Sequence, residues 1–323
     1  MKCKLLTTVI FACICFTLHA QETQPIVPTG SAIINVFSNY HTHFDSESGF
    51  ELERSYLGYE YKLNDVLSIK SVLDIGTSSA ITDYQRLAYV KNAMLKWKKG
   101  NLTVQGGLIS TTQFNLQEKA WGHRYIMKSF QDKYKFGNSA DLGIAAAYRI
   151  APWLSADAII VNGEGYKKVQ KGDGLNYGLG VTLSPVKKFQ IRFYGGINEG
   201  STANQANIVN LAAYAGYRCD RFSIGAEYNH MTNAQHVVDA NRSGYSLYAS
   251  LLLSPHATLY ARFDDIASSN DWNIANDESA AIVGAQFKLG SHVKIAPNFR
   301  LGIPKAEGAD NTYGAYINCY FGL

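Results

Sequence analysis

Much that would mark a soluble enzyme or a helical membrane protein is missing from this chain of 323 residues. Of its 5 cysteines, Cys3, Cys13 and Cys15 crowd the N-terminus, leaving Cys219 and Cys319 in the body of the chain. Two cysteines so far apart exclude a disulfide scaffold and a cysteine-rich metal site. Cys319 alternates with apolar neighbours and reads as a small hydrophobe. No GxSxG, HExxH, P-loop or CxxC occurs, so no catalytic constellation, metal or cofactor is expected. His41 and His43 could share a face, but no carboxylate or cysteine stands at ligand spacing, and the reading is two solvated loop histidines. The formal net charge is only +4, which gives no reason to expect a nucleic-acid partner. Past the N-terminus, no apolar run approaches the roughly 20 residues that a membrane helix needs. Proline is scarce at 7, and mean hydropathy is −0.13.

The one apolar run sits at the start. Lys2 and Lys4 precede "LLTTVIFACICFTL" and then "HAQE". A positive segment, a short apolar segment and a small residue at the cut read as a secretory signal peptide over 1–20, removed after Ala20. Residues 21–323 then form one exported domain.

What is present is alternation. The 21 tyrosines and 28 glycines belong to runs of period 2, each about ten residues long and bounded by turn residues. Leu57, Tyr59, Tyr61 and Leu63 alternate with Tyr56, Gly58, Glu60 and Lys62, and Asn64-Asp65 supplies a tight turn. The same grammar predicts strands over 31–44, 50–63, 66–77, 86–98, 101–110, 139–150, 153–163, 174–184, 188–198, 206–218, 221–232, 243–254, 257–266, 277–289, 292–301 and 312–322. In the fourth, Val90 and Leu95 differ in parity, which predicts a bulge. Connections alternate between short turns and long polar loops. That sorting predicts an all-β fold, a transmembrane antiparallel β-barrel of about 16 strands (14–18), with short periplasmic turns and long extracellular loops. The last stretch, "YGAYINCYFGL", fits a closing strand whose apolar face meets lipid, with Tyr320 and Phe321 in an interfacial girdle.

One connection is out of scale. The segment of about 111–138 carries Lys119, Arg124, Lys128, Lys133 and Lys135 against Glu118 and Asp132, with His123, Trp121, Tyr125, Phe130 and Tyr134 among them. A loop this long is rare unless it has a function. Part of "LQEKAWGHRYIMKSFQ" has the character of a short helix. By parity the inward set holds Arg54, Glu60, Lys70, Asp74, Arg149, Asp157, Arg192, Glu227, Arg262, Asp264, Lys294 and Arg300. Such a mixed lining suits water better than a packed core. For each residue taken singly, a wall-bracing ion pair is the simpler role. Gly107, Gly143, Gly178, Gly195 or Gly196, and Gly225 suggest open space inside.

The runs "FELERSYLGYEYKLNDVLSIKSVLDIG", "AYVKNAMLKWKKGNLTVQGGLIS" and "EKAWGHRYIMKSFQDKYKFGNSADLGIAAAYRI" resemble porin-like outer-membrane proteins of Bacteroidetes, which are similar to the phosphate-selective porin O/P group. The match is best over roughly 50–200. The resemblance implies a pore in outer-membrane lipid, passing small hydrophilic or anionic solutes, and a homotrimer. In general porins the third loop enters and narrows the lumen, and by that resemblance this one is the constriction, its basic excess favouring anions; the alternative is an aromatic-pinned lid across the barrel mouth or a contact at a subunit interface. Phosphate selectivity does not carry over, because no position-by-position match exists for that group's arginine ladder. Three other readings stand beside the porin: a plugged carrier, which would need a larger N-terminal segment; a structural or adhesive barrel; and a barrel enzyme.

Overall fold

A computed structural model describes residues 29–44, 47–77, 85–170 and 172–323. The expected signal peptide and its cut lie outside these residues. The strands are β1 (Thr29–His43), β2 (Ser48–Lys62), β3 (Leu67–Thr77), β4 (Arg86–Lys99), β5 (Leu102–Ser110), β6 (Ala140–Ala151), β7 (Leu154–Val161) and β8 (Asn176–Leu183). They continue as β9 (Phe189–Asn198), β10 (Ile208–Arg218), β11 (Phe222–Thr232), β12 (Arg242–Ser254), β13 (Ala257–Ser268), β14 (Glu278–Leu289), β15 (Val293–Pro304) and β16 (Thr312–Gly322). Each pairs antiparallel with its chain neighbours, and β1 pairs with β16 from Asn35↔Gly322 to His43↔Gly314, so the sheet closes into a 16-stranded barrel. Closure leaves no unpaired edge.

Alternation decides which side chains face out. Leu57, Tyr59, Leu73, Leu142, Leu179, Phe193, Leu211, Leu247, Val283 and Ile317 are all exposed on the outer wall. Their inward neighbours Tyr56, Asp74, Tyr194, Tyr214 and Tyr248 are buried. The short turns fall after even-numbered strands. In the first of these, the Asn64 side chain accepts hydrogen bonds from the amides of Val66 (3.0 Å) and Leu67 (2.8 Å), which fixes the turn locally. At the opposite rim the loops are longer, except that β1 and β2 extend until only 44–47 join them.

Two bulges redirect charge. Pairing jumps from Val72↔Asn92 to Leu73↔Val90, leaving Lys91 as the extra residue that the mixed parity of the fourth strand predicts. Pairing also jumps from Phe37↔Arg54 to Ser38↔Leu52, leaving Glu53 as the extra residue. Both then point inward. Lys91 Nζ donates to Tyr56 Oη at 3.1 Å, and Glu53 accepts from Asn39 at 2.8 Å.

Two expectations need correction. Tyr320 does not join an outer girdle: its hydroxyl donates to Asn35 at 2.7 Å and its ring lies 5.9 Å from Phe37, inside the barrel. Parity places it opposite Phe321, which stays outside. Nor do the inward glycines mark open space. Tyr194 lies over Gly178 and Gly196, and Tyr248 over Gly225, so a Cβ there would meet a tyrosine ring. Glycine is present at these three positions because a tyrosine of the same or the adjoining strand lies flat along the inner wall.

Candidate functional site

The segment between β5 and β6 is folded. It contains two short helices, α1 (Asn115–Trp121) and α2 (Phe130–Lys133). The first ends at Gly122, whose φ of 71° suits glycine and turns its amide onto Glu118 O. Along the segment, aromatic and charged residues recur at spacings near four, and this divides it into two faces. Trp121, Tyr125 and Ile126 pack with Phe37, Tyr248, Tyr260 and Ile282 on the inner wall. Phe130, Tyr134 and Phe136 pack with Ile208, Met231 and Ile266. Gly244 leaves the wall bare where the Phe130 ring approaches. These partners are inward residues of strands on one side of the barrel, so the loop lies within the lumen against that side.

Wall arginines hold the loop by its backbone. Arg192 donates to Thr112 O (2.8 Å), Arg262 to Lys128 O (2.6 Å) and Arg300 to Ile126 O (2.8 Å). Arg218 donates to Lys119 O (2.8 Å) and Ala120 O (2.9 Å), and Arg242 to Lys135 O (2.7 Å). Arg192 is paired with Asp157 (2.6 Å) and Arg262 with Asp264 (2.7 Å), both largely buried. An arginine has donors enough to satisfy a carboxylate and still reach a carbonyl. Hydrogen bonds to charged groups contribute about 1.5–3 kcal/mol each, so several together make a stiff mooring. The wall pairs are thus bracing, and they brace the loop as well.

The loop's other face meets a cavity of 460 Å³ near the long-loop rim. Its cationic lining is Arg54, Arg124, Lys128, Lys135, Lys167 and Lys168, against the acids Asp132 and Glu164. Arg54 is bonded to buried Asp74, which also accepts from the Tyr166 hydroxyl. Arg124 bridges Asp132 (2.8 Å) and Glu118 (3.2 Å) within the loop. Lys128 and Lys135 have no ion pair among the described residues. Burial lowers the affinity of Lys128 for its proton, and the charges of Arg54 and Arg124 lower it further. Lys167 is lowered for the same reasons, with Arg54 and Lys128 among its repelling neighbours. Lys128 on the loop and Lys167 on the facing side therefore share one field.

Lys167 is positioned by its own segment, 162–170. Asp141 accepts hydrogen bonds from the amides of Gly163 (2.8 Å) and Gly165 (3.1 Å), and Asn138 donates to Gly163 O (3.0 Å). Tyr166 then packs edge-on to Tyr89 at 6.5 Å, and Lys167 lies 5.1 Å over the Tyr89 ring.

Of the sequence candidates, Arg124, Lys128 and Lys135 come together at this cavity, with Arg54 on the wall and Asp74 behind it. Trp121 and Tyr125 are wall anchors, Lys119 is exposed, and Lys133 pairs with Glu278 at 2.9 Å away from the cavity. Arg192, Arg262 and Arg300 moor the loop, with Asp157 as partner to the first. Lys294 lies 4.8 Å over the Tyr320 ring, Lys70 stands opposite Glu60, and Arg149 is exposed beside a short turn. His41 and His43 pack with Tyr316, and the described residues hold no metal-ligand cluster. Sequence reasoning missed Lys167, Lys168, Arg218, Arg242 and Lys91. The signal for the first two was available in "GEGYKKVQK", a basic long-rim loop; that for Lys91 was the parity break.

No family model and no curated protein matches the chain in sequence. Its fold is similar to that of OmpT, an outer-membrane expressed protein of Vibrio cholerae, with a TM-score of 0.66 at 15% identity over 94% of this chain and 100% of that one. OmpF of Salmonella typhi, solved in complex with daunomycin, gives 0.66 at 11% identity over 91% of this chain and 97% of that one. A mutant of the Rh. blastica porin gives 0.60 at 15% identity over 91% of this chain and 100% of that one. At these identities the likeness is one of fold: the chain forms a closed barrel of the kind seen in outer-membrane porins.

Proposed function

We propose that the protein is an outer-membrane channel for the passive diffusion of small hydrophilic solutes, that the segment 111–138 constricts it, and that the constriction prefers anions. The observation that carries the reading is a moored, lumen-inserted loop whose free face presents Lys128 and Lys135 to a cavity with a cationic excess. A loop meant only to cap a mouth would need no arginine mooring along the inner wall. Cationic groups in a narrow, low-dielectric passage raise the local concentration of anions and repel cations. The apolar outer wall supports residence in lipid, and the porin likeness supports the outer membrane as its place, reached through the expected signal peptide. Nothing in the reading calls for catalysis, a metal or a cofactor. A homotrimer is the assembly implied by the resemblance to porin-like proteins, and a trimer form is known for OmpT of Vibrio cholerae.

The test is current across a planar bilayer containing the purified barrel, with reversal potential in a salt gradient. Steady conductance with anion preference, reduced in Lys128→Gln, is the expected result. A folded barrel that never conducts overturns the reading in favour of a structural role. Conductance indifferent to Lys128 keeps the channel and removes the selectivity assigned to the loop.

A further inference from the structure

The cavity beside the loop has a second property that a simple anion attractor does not need. Asn210, an inward residue of β10, is only 8% exposed, and it lines the cavity. Its Oδ1 has no hydrogen-bond partner among the described residues. A buried acceptor left unsatisfied is costly, so such an atom is a seat for a donor. No lysine of the lining donates to it, and an anion offers acceptors, which do nothing for another acceptor. The occupant that satisfies both sets carries negative charge for the lysines and hydroxyl donors for the amide oxygen.

Size narrows the choice. At 460 Å³ the cavity falls among ordinary small-molecule sites, roughly 300–1,000 Å³, and is far larger than a dehydrated inorganic anion. Polar side chains surround it besides the charges: Asn138, Ser139, Asn176 and Asn198 join Asn210 in the lining. Asn138 and Asn198 each donate one amide hydrogen to Gly163 O, at 3.0 and 3.4 Å, which fixes both side chains at the edge of the cavity. The lining is thus cationic from the loop and from Lys167 and Lys168, and carries side-chain amides at the strand ends, with the Asn210 oxygen as its unpartnered acceptor.

We propose that this cavity selects hydroxylated organic anions, and in particular acidic saccharides of disaccharide size or smaller, over both inorganic anions and neutral sugars. The inference rests on the channel reading for its biological sense, but the site itself can be tested without current. Carboxylates of the sugar engage Lys128 and Lys167, and ring hydroxyls donate to Asn210 Oδ1.

Isothermal titration of the folded full-length barrel in detergent, with digalacturonate, pyrophosphate and lactose as probes, decides the matter. Digalacturonate should bind about tenfold tighter than either of the others, because a site built for both charge and hydroxyls penalises a ligand lacking one. Asn210→Leu should lower digalacturonate affinity and leave pyrophosphate unchanged. Lys128→Gln with Lys167→Gln should lower both. Pyrophosphate binding as tightly as digalacturonate overturns the inference, as does lactose doing so. The three-probe comparison on the unsubstituted protein stands even if a variant fails to fold. Bilayer current separates the two claims: anion-selective conductance without digalacturonate preference discards this inference and keeps the channel, and selective binding without conductance keeps the site and discards the channel.

Discussion

At the scale of the residue, Lys128 has the most distinctive position. Its carbonyl is held by Arg262 while its ammonium faces the cavity, so the wall fixes where the charge sits. Burial and the neighbouring arginines lower its proton affinity from the ordinary lysine value of 10.5, and Lys167 is lowered likewise. The sign follows directly: as pH rises, these lysines lose charge before ordinary surface lysines do. Anion preference should therefore decay with an onset below pH 10.5, measured as reversal potential against pH. Lys128→Arg should keep the preference and move that decay to higher pH, since guanidinium does not titrate in this range. Arg262 offers a second test. Arg262→Leu leaves Asp264 buried without its partner, which costs about 3–5 kcal/mol. Arg262→Leu with Asp264→Leu should recover much of the barrel's resistance to denaturant. It should not recover loop docking, which limited proteolysis within 111–138 would report.

At the scale of the element, the loop is an amphipathic strap laid against the wall. His123 lies on its docked side, 5% exposed, with Nε2 2.8 Å from Ser250 Oγ and its ring 4.7 Å from Tyr260. Burial pushes its pKa down to about 4, and Lys294 and Arg218 push the same way. A histidine whose folded value is below its free value of 6.5 binds protons more readily when released. Docking is therefore strongest above pH 6.5 and weakens as pH falls toward 4, by on the order of 3 kcal/mol if release exposes the ring fully. Protection factors of the loop amides, taken relative to intrinsic exchange at each pH, should fall between pH 7.5 and about 5, and His123→Gln should flatten that fall. Much of this element was legible in the sequence: its length, its basic excess, and its place as the third long loop. What was not legible was which face each residue takes. Trp121 and Tyr125 look like constriction aromatics in a list, yet they are buried because the loop's apolar stripe needs a wall. Arg262 and Arg300 look like pore lining by parity, yet their forks reach carbonyls more than a hundred positions away. Such pairings depend on closure of the barrel, which a one-dimensional pattern does not encode. Period-2 alternation, by contrast, is local, and so the strands and even the bulge at Lys91 could be read directly.

At the scale of the whole molecule, the fold follows from two demands that one sequence meets at once. The outer wall must be apolar over its whole circumference, and the inner wall must carry enough polar chemistry to moor a loop and leave a charged face to water. Alternation along each strand supplies both, and closure between β1 and β16 removes the edge that would otherwise seek a partner. If the outer wall is the lipid face, the cost of a charge there must depend on depth. Leu247 lies near the middle of β12 and is 51% exposed, whereas Leu289 ends β14 beside a short turn and is 56% exposed. Their exposure is nearly equal, so a barrel surrounded by water would treat an arginine at either site alike. In a bilayer, Leu247→Arg should cost about 2–4 kcal/mol and Leu289→Arg about 0–1 kcal/mol. Denaturant unfolding of both variants from lipid vesicles measures the difference. Equal costs at the two positions would mean that the apolar wall is covered by something other than a bilayer, and the channel reading would fall with it.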